Sequence, residues 1–265
     1  MKTPRISASS YSNTAPLVWS FLYGQKHGTA ELIMDTAPAR SAELLSEDRV
    51  DAALVPVIAY QMIEGVSLVP DICVGARSRV RSVCLVTRGG ELDDVRSVAL
   101  DVSSRTSVAL TKILFREFLG FEPAWQDSPP DIDAMLDGSD AALLIGDPAL
   151  RLSALPAGSP YRTFDLVELW REHTGLGFVF AMWMTRRSAV TVDLALARDE
   201  GVTHIDEIAS IYEREIDIGH GEMTRYLAEN ISYSIDPSMM SGLELYFKLA
   251  EKNGLIAKNY PLRFV

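Results

Sequence analysis

The chemistry of this chain is concentrated in two short hydroxyl-rich stretches. The first, SASSYSNTAP at residues 7–16, packs four serines, a tyrosine, an asparagine and a threonine between an apolar start and a proline. The second, VSSRTS at residues 102–107, brings three serines, a threonine and an arginine. Such side chains either cap the helix that follows them or, together with its free N–H groups, hold a small anion. Neither stretch contains a glycine or a GK[ST] run, which disfavours nucleotide phosphates and favours a small carboxylate. Asn13 is either the cap of the first helix, which its spacing favours, or a ligand-facing amide that donates and accepts at once. Asp147 ends the apolar run AALLIGD ahead of Pro148, so it either faces the ligand or starts the next helix. Arg77, Arg79 and Arg81 alternate with Ser78, Val80 and Ser82; on an extended strand the arginines would share one face and the serines the other.

The totals exclude several other classes of chemistry. Lys plus Arg number 25 against 36 Asp plus Glu, a formal charge of -11, the wrong sign for a nucleic-acid surface and weak support for an anionic membrane. An anionic ligand must therefore be held locally. The four histidines, His27, His173, His204 and His220, follow no ligand spacing, so no metal is expected. Cys73 and Cys84 are expected to be buried thiols rather than a redox pair or a disulfide. The start MKTPRISASSY lacks the apolar stretch of a secretory signal, and the richest run, GLGFVFAMWM, falls short of the roughly 20 apolar residues that span a bilayer. A cytoplasmic protein is expected.

Two copies of one pattern must position these loops. In the first half a strand at Ile6–Ala8, a helix from about Thr14 to Tyr23, strand ELIMD, helix PARSAELLS and strand DAALVP follow one another. In the second, strand SVALD, the loop VSSRTS, a helix stopped by Gly120, EPAWQ, DIDAMLD and DAALLIGDP repeat that order. Val50 and Ser139 open the related runs VDAALVPV and SDAALLIGDP. Apolar strands alternating with helices predict an α/β protein of two lobes with mostly parallel sheets. RSVCLVTRGG and GFVFAMWMT would carry the chain across and back as a hinge, giving lobes of residues 1–87 plus 186–265 and of residues 88–185. The closing helices, with Asp236 as a cap and Pro237 at a first position, would finish the first lobe.

Taken in order, SNTAPL, VRSVCLV, SSRTSVAL, LIGDPAL, LWREHTGLGFVFAMW and ISYSIDPSMMSGLELYF resemble the MqnA family over nearly the whole chain. That family comprises chorismate dehydratases of the futalosine route to menaquinone. The resemblance implies the two-lobed fold of type 2 periplasmic solute-binding proteins, chorismate as the small-molecule substrate, and no metal or organic cofactor. It places the family's active-site asparagine on Asn13 and its serine on Ser82. The block Ser103, Ser104, Arg105, Thr106 and Ser107 would receive a substrate carboxylate, with Ser10 and Asp147 as further substrate contacts. One departure is Gly177, where the family pattern leads one to expect proline and where the return strand would be loosened. Two rival readings are a 1,4-dihydroxy-6-naphthoate synthase, whose Cys-Pro-Asn-Asp start is not seen here, and a binding module for a small carboxylate. The sequence leaves the oligomeric state open.

Overall fold

The computed structural model describes residues 3–156 and 158–265. Its first half runs β1 (Arg5–Ser9), α1 (Ala15–Leu22), β2 (Glu31–Asp35), α2 (Pro38–Ser46) and β3 (Ala52–Pro56). β1 pairs in parallel with β2 and β3, and every residue of β3 is buried, as a strand covered on both faces requires. β4 (Ser67–Ala76) follows, a strand that the sequence reading did not identify. Exposed Pro70 and Asp71, the latter at φ 58°, interrupt its apolar pattern. An edge strand tolerates that break.

The second half repeats the plan. β5 (Val83–Thr87) leads to β6 (Ser97–Asp101), α3 (Thr106–Ile113), β7 (Ala124–Ser128), α4 (Ile132–Gly138), β8 (Ala141–Ile145), α5 (Gly146–Ser153) and β9 (Arg162–Asp165). Then α6 (Leu166–Thr174) returns the chain to β10 (Phe178–Thr185). The sheets have the orders β2-β1-β3-β10-β4 and β7-β6-β8-β5-β9. They correspond strand for strand, and the two Asp-Ala-Ala-Leu runs fall on the equivalent strands β3 and β8. The fourth strand of each sheet, β10 or β5, is antiparallel to its neighbours. Each is contributed by chain arriving from the other half, so both sheets are mixed. β5 pairs within the second sheet, which moves the first crossing from residue 87 back to the segment 77–82.

The closing helices are α7 (Leu194–Thr203), α8 (Ile205–Ile216), α9 (His220–Arg225) and α10 (Pro237–Lys252). Asp236 accepts from Met239 N at 2.8 Å, with Pro237 at the first turn, as expected of a cap. These helices touch both halves rather than one. Arg151 of α5 donates to Ile216 O at 2.9 Å, and Tyr246 of α10 donates to Thr106 O at 3.1 Å. Phe178 packs against Trp170 and Tyr246, with ring centroids 5.5 and 5.1 Å away, joining α6, β10 and α10 in one aromatic core.

Gly177 tightens this junction rather than loosening it. A Cβ there would lie 2.7 Å from Met239 Cγ and 3.1 Å from Ala76 O. Its N–H donates to Ser238 Oγ at 3.0 Å, a bond that proline lacks the hydrogen to make.

Candidate functional site

The carboxyl ends of β1, β3, β6 and β8 open onto a cleft between the two sheets, the expected place for a ligand in such sheets. The cleft encloses about 570 Å³, part of it open to solvent. Leu54 and Val74 from the first sheet, and Val83 and Ile145 from the second, form apolar walls with Phe180. Polar groups gather at two helix starts: Ser9, Asn13 and Thr14 before α1, and Ser104, Thr106 and Ser107 at the start of α3. Among the described residues, none lining the cleft is Lys, Arg, His, Asp or Glu. An anion placed there would meet hydroxyls, N–H groups and helix dipoles.

Asn13 lies on the cleft wall in a tight turn, Ser12–Thr14. It caps nothing: neither that turn nor α1 has a side-chain cap hydrogen bond. Among the described residues its Oδ1 accepts a long bond from Thr14 Oγ1, at 3.3 Å. Within the second block, Ser104, Thr106 and Ser107 reach the cleft, whereas Ser103 and Arg105 do not line it. Ser103 is folded back onto Asp101, its Oγ donating at 2.5 Å and its N at 2.9 Å. Arg105 is exposed and lies 3.7 Å from Glu43 of α2. Ser10 also lies off the cleft wall; its N donates to Asp35 O at 2.8 Å and its O accepts from Tyr212 at 3.3 Å. The strand's two-residue alternation places its neighbour Ser9 in the cleft instead, where Ser9 Oγ pairs with Thr14 Oγ1 at 2.9 Å.

Asp147 joins the two halves. Its Oδ1 accepts from Ser12 Oγ at 2.5 Å and from Ser12 N at 3.2 Å. Burial raises its pKa, and the Ser12 bonds pull it partly back. Beside it the Tyr11 ring lies against Gly146: a Cβ there would meet the ring at 2.8 Å, and the backbone is at φ +64°. Both features require glycine at 146.

Ser82 is fully buried at the end of the 77–82 crossing. The arginines around it share no face, because β4 ends at Ala76 and the chain bends. Arg77 instead pairs with Asp236 at 2.8 Å, Arg79 with Glu168 at 3.3 Å and Arg81 with Glu222 at 2.6 Å. Arg81 has φ 63°, a conformation that a side-chain-bearing residue keeps only where its surroundings enforce it. Ser82 N closes this turn on Val80 O at 2.8 Å, and Ser82 O accepts from Gly146 N at 2.7 Å.

Asp165 enforces the turn from beneath. Its Oδ2 accepts from Val80 N at 3.0 Å and from Arg81 N at 2.5 Å, while Oδ1 caps α6 through Val167 N and Glu168 N. Burial pushes its pKa up to about 6. The buried Tyr226 phenol completes the group, with the side chains of Ser82 and Asn13 acting on it. Asp165 and Tyr226, like Ser9, Tyr11 and Thr14, were not singled out from the sequence. Pro16 was half of the signal for Asn13: it has no N–H to donate to a cap, whereas Ala15 has one and spends it on Ser12 O, which the spacing does not disclose.

The sequence profile of the menaquinone biosynthesis family matches residues 4–252. A chorismate dehydratase of Thermus thermophilus is 31% identical over 268 residues, covering 92% of this chain and 93% of that protein. The Candida albicans CA3427 product, described as having the generic periplasmic binding protein fold, superposes with a TM-score of 0.68 at 14% identity, covering 98% of this chain and 92% of that one. The aliphatic sulphonate binding protein of Escherichia coli gives 0.64 at 14%, covering 99% and 93%. These two likenesses establish a periplasmic-binding-protein-like fold.

Proposed function

Because the chain belongs to the menaquinone biosynthesis family, we propose that it is a chorismate dehydratase, a hydro-lyase converting chorismate to 3-[(1-carboxyvinyl)oxy]benzoate and water. The observation that carries this reading within the fold is an apolar cleft, free of charged lining residues among those described, with a helix start at each polar end. Chorismate has an apolar ring and two carboxylates. One carboxylate is received at Ser104, Thr106 and Ser107, and the opposite end of the substrate lies toward Ser9, Asn13 and Thr14. We assign the two sheets to lobes that close over it, with the Ser12–Asp147 contact as their latch.

The elimination breaks the C3–H and C4–O bonds, the proton and hydroxyl leave as water, and the ring becomes aromatic. Conjugation with the ring carboxylate spreads the charge left at C3, and the aromatic product supplies the driving force. The protein's part is orientation and hydrogen bonding at the places where charge develops. Asn13 lies at the reacting edge; its neutral amide positions or relays rather than serving as a strong base. Ser82 serves the leaving hydroxyl or the ring carboxylate. Asp147 accepts from Ser12 N and Oγ and does not line the cleft; we therefore assign the proton to water or the substrate's own carboxylate.

Purified protein incubated with chorismate and followed by chromatography with mass detection is expected to form the carboxyvinyloxybenzoate. Folded protein that yields none overturns the reading. Turnover of the naphthoate-synthase substrate would then assign the sister activity, and chorismate binding without turnover would assign a binding module.

A further inference from the structure

The wall behind Ser82 is built by one helix face. Glu222 and Tyr226 are four residues apart, the spacing that places two side chains on the same side of a helix. Glu222 holds the Arg81 guanidinium at 2.6 Å, fixing that face against the turn that bears Ser82. One helical turn further on comes Tyr226, where the regular winding of α9 gives way to a wider turn over Tyr226–Asn230. Such local widening recurs at functional sites.

Tyr226 is 1% exposed. Its hydroxyl closes no hydrogen bond of ordinary geometry among the described residues, although buried phenols usually find a partner. The polar side chains acting on it are those of Ser82 and Asn13. Each of these is poorly satisfied itself: among the described residues Ser82 Oγ donates to Val80 O at a long 3.4 Å, and Asn13 Oδ1 has its long bond from Thr14. Three under-bonded polar groups thus meet here, Asn13 on the cleft wall and the buried Ser82 and Tyr226 behind it, an arrangement that a packed core avoids.

We propose that Tyr226 is a positioning residue of the dehydration: its phenol O–H orients the Ser82 hydroxyl and the Asn13 amide in the geometry they hold against the substrate. The assignment rests on the dehydratase reading. Burial pushes the phenol well above its ordinary value, so it acts as a neutral donor and moves no proton itself. It has the two capacities of a hydroxyl, donating to one neighbour and accepting from the other.

The test is Tyr226→Phe, which removes the hydroxyl and keeps the ring, assayed with chorismate beside Tyr233→Phe. Tyr233 is a second buried phenol without a hydrogen-bond partner among the described residues; Tyr226 acts on it, but Ser82 and Asn13 do not. The expected result for Tyr226→Phe is a kcat lower by roughly ten- to a hundredfold, with KM nearly unchanged and no drop in melting temperature. Tyr233→Phe is expected to keep the wild-type kcat. In a Ser82→Ala background Tyr226→Phe is expected to add little, since the two groups act as a unit. A purely structural phenol would give the opposite pattern, with the melting point lowered and kcat kept. Wild-type kcat in Tyr226→Phe, or an equal loss in Tyr233→Phe, overturns this role while the dehydratase reading stands. Absence of product from the folded wild type overturns that reading and this role with it.

Discussion

Asp165→Asn probes how the reacting groups are held, because the two oxygens of one carboxylate serve different elements. Oδ1 caps α6 through Val167 N and Glu168 N at 2.9 and 3.2 Å, and Oδ2 holds the Val80 and Arg81 N–H groups at 3.0 and 2.5 Å. An amide has one oxygen. If it keeps the cap, its NH₂ faces two N–H donors in the turn, and leaving both unpaired costs roughly 1–3 kcal/mol each. The change also removes a buried charge. A pKa raised from 3.8 to about 6 means that ionised Asp165 destabilises the fold at neutral pH by about 3 kcal/mol relative to its neutral form. The two effects largely cancel, and the net change in stability is expected to fall between about -1 and +3 kcal/mol.

Activity is not protected by that cancellation, since Arg81 at φ 63° and Ser82 beside it lose their brace. Asp165→Asn is expected to lower kcat at pH 7.5 by about tenfold or more. The pH dependence has a definite sign. With the folded-state pKa above the unfolded value, the native state binds the extra proton between 3.8 and about 6. Asp165 therefore adds stability to the wild type as pH falls through that window, and its destabilising contribution is complete above it. Protonation meanwhile takes an acceptor from the turn, so wild-type activity falls below a pH of about 6 while the melting-temperature difference, wild type minus variant, rises. Rate profiles and thermal melts from pH 4.5 to 8 measure both. An acid limb near 6 that survives unchanged in Asp165→Asn, or a variant with wild-type kcat at pH 7.5, refutes the reasoning.

Replacing Asn13 by Ala should cut kcat far more than substrate binding, and an unchanged kcat removes Asn13 from the mechanism. Ser12→Ala deletes the 2.5 Å bond to Asp147 across the cleft; losing about 1.4 kcal/mol from the closed form should raise KM roughly tenfold with a smaller effect on kcat, and steady-state kinetics decide. Gly177→Ala drives a methyl against Met239 Cγ at 2.7 Å and should destabilise by about 1–3 kcal/mol in a urea titration; unchanged stability would mean that the junction gives way freely. Cys73 and Cys84 are buried, free, and raised in pKa by that burial, so a thiol reagent should titrate neither until the protein unfolds.

What the sequence disclosed was local. The alternation of apolar strands and helices, Gly120 as a helix stop at φ +79° and the Asp236 cap each depend on neighbours within a few positions. The hydroxyl block at 103–107 was legible as a helix start, but not which of its members face the cleft. That depends on Asp101, whose carboxylate takes Ser103 out of the cleft, and on Glu43, which draws Arg105 to the rim. The three arginines misled for the same reason. Their alternation suggests one face, but each finds its carboxylate on a different distant element, and a chain that bends at residue 77 has no face to share.

The support of the site lies furthest from sequence reach because it is made of contacts that no local pattern encodes. Asp165 meets Val80 and Arg81 at separations of 85 and 84 residues, and Ser12 meets Asp147 at 135. In sequence Asp165 looks like an ordinary helix cap, and it is one, with half of its carboxylate left over for the turn. Tyr226 likewise has the burial of a core aromatic, and what sets it apart from the equally buried Tyr233 is that the side chains of Ser82 and Asn13 act on its hydroxyl. Asn13 shows the converse case. Its spacing fits a cap, but of the two N–H groups such a cap could accept from, Pro16 has none and that of Ala15 donates to Ser12 O. The turn at Ser12–Thr14 closes through Thr14 N and Tyr11 O at 2.9 Å instead. The proline and the short turn together release the amide from structural duty, and the released Asn13 lines the cleft.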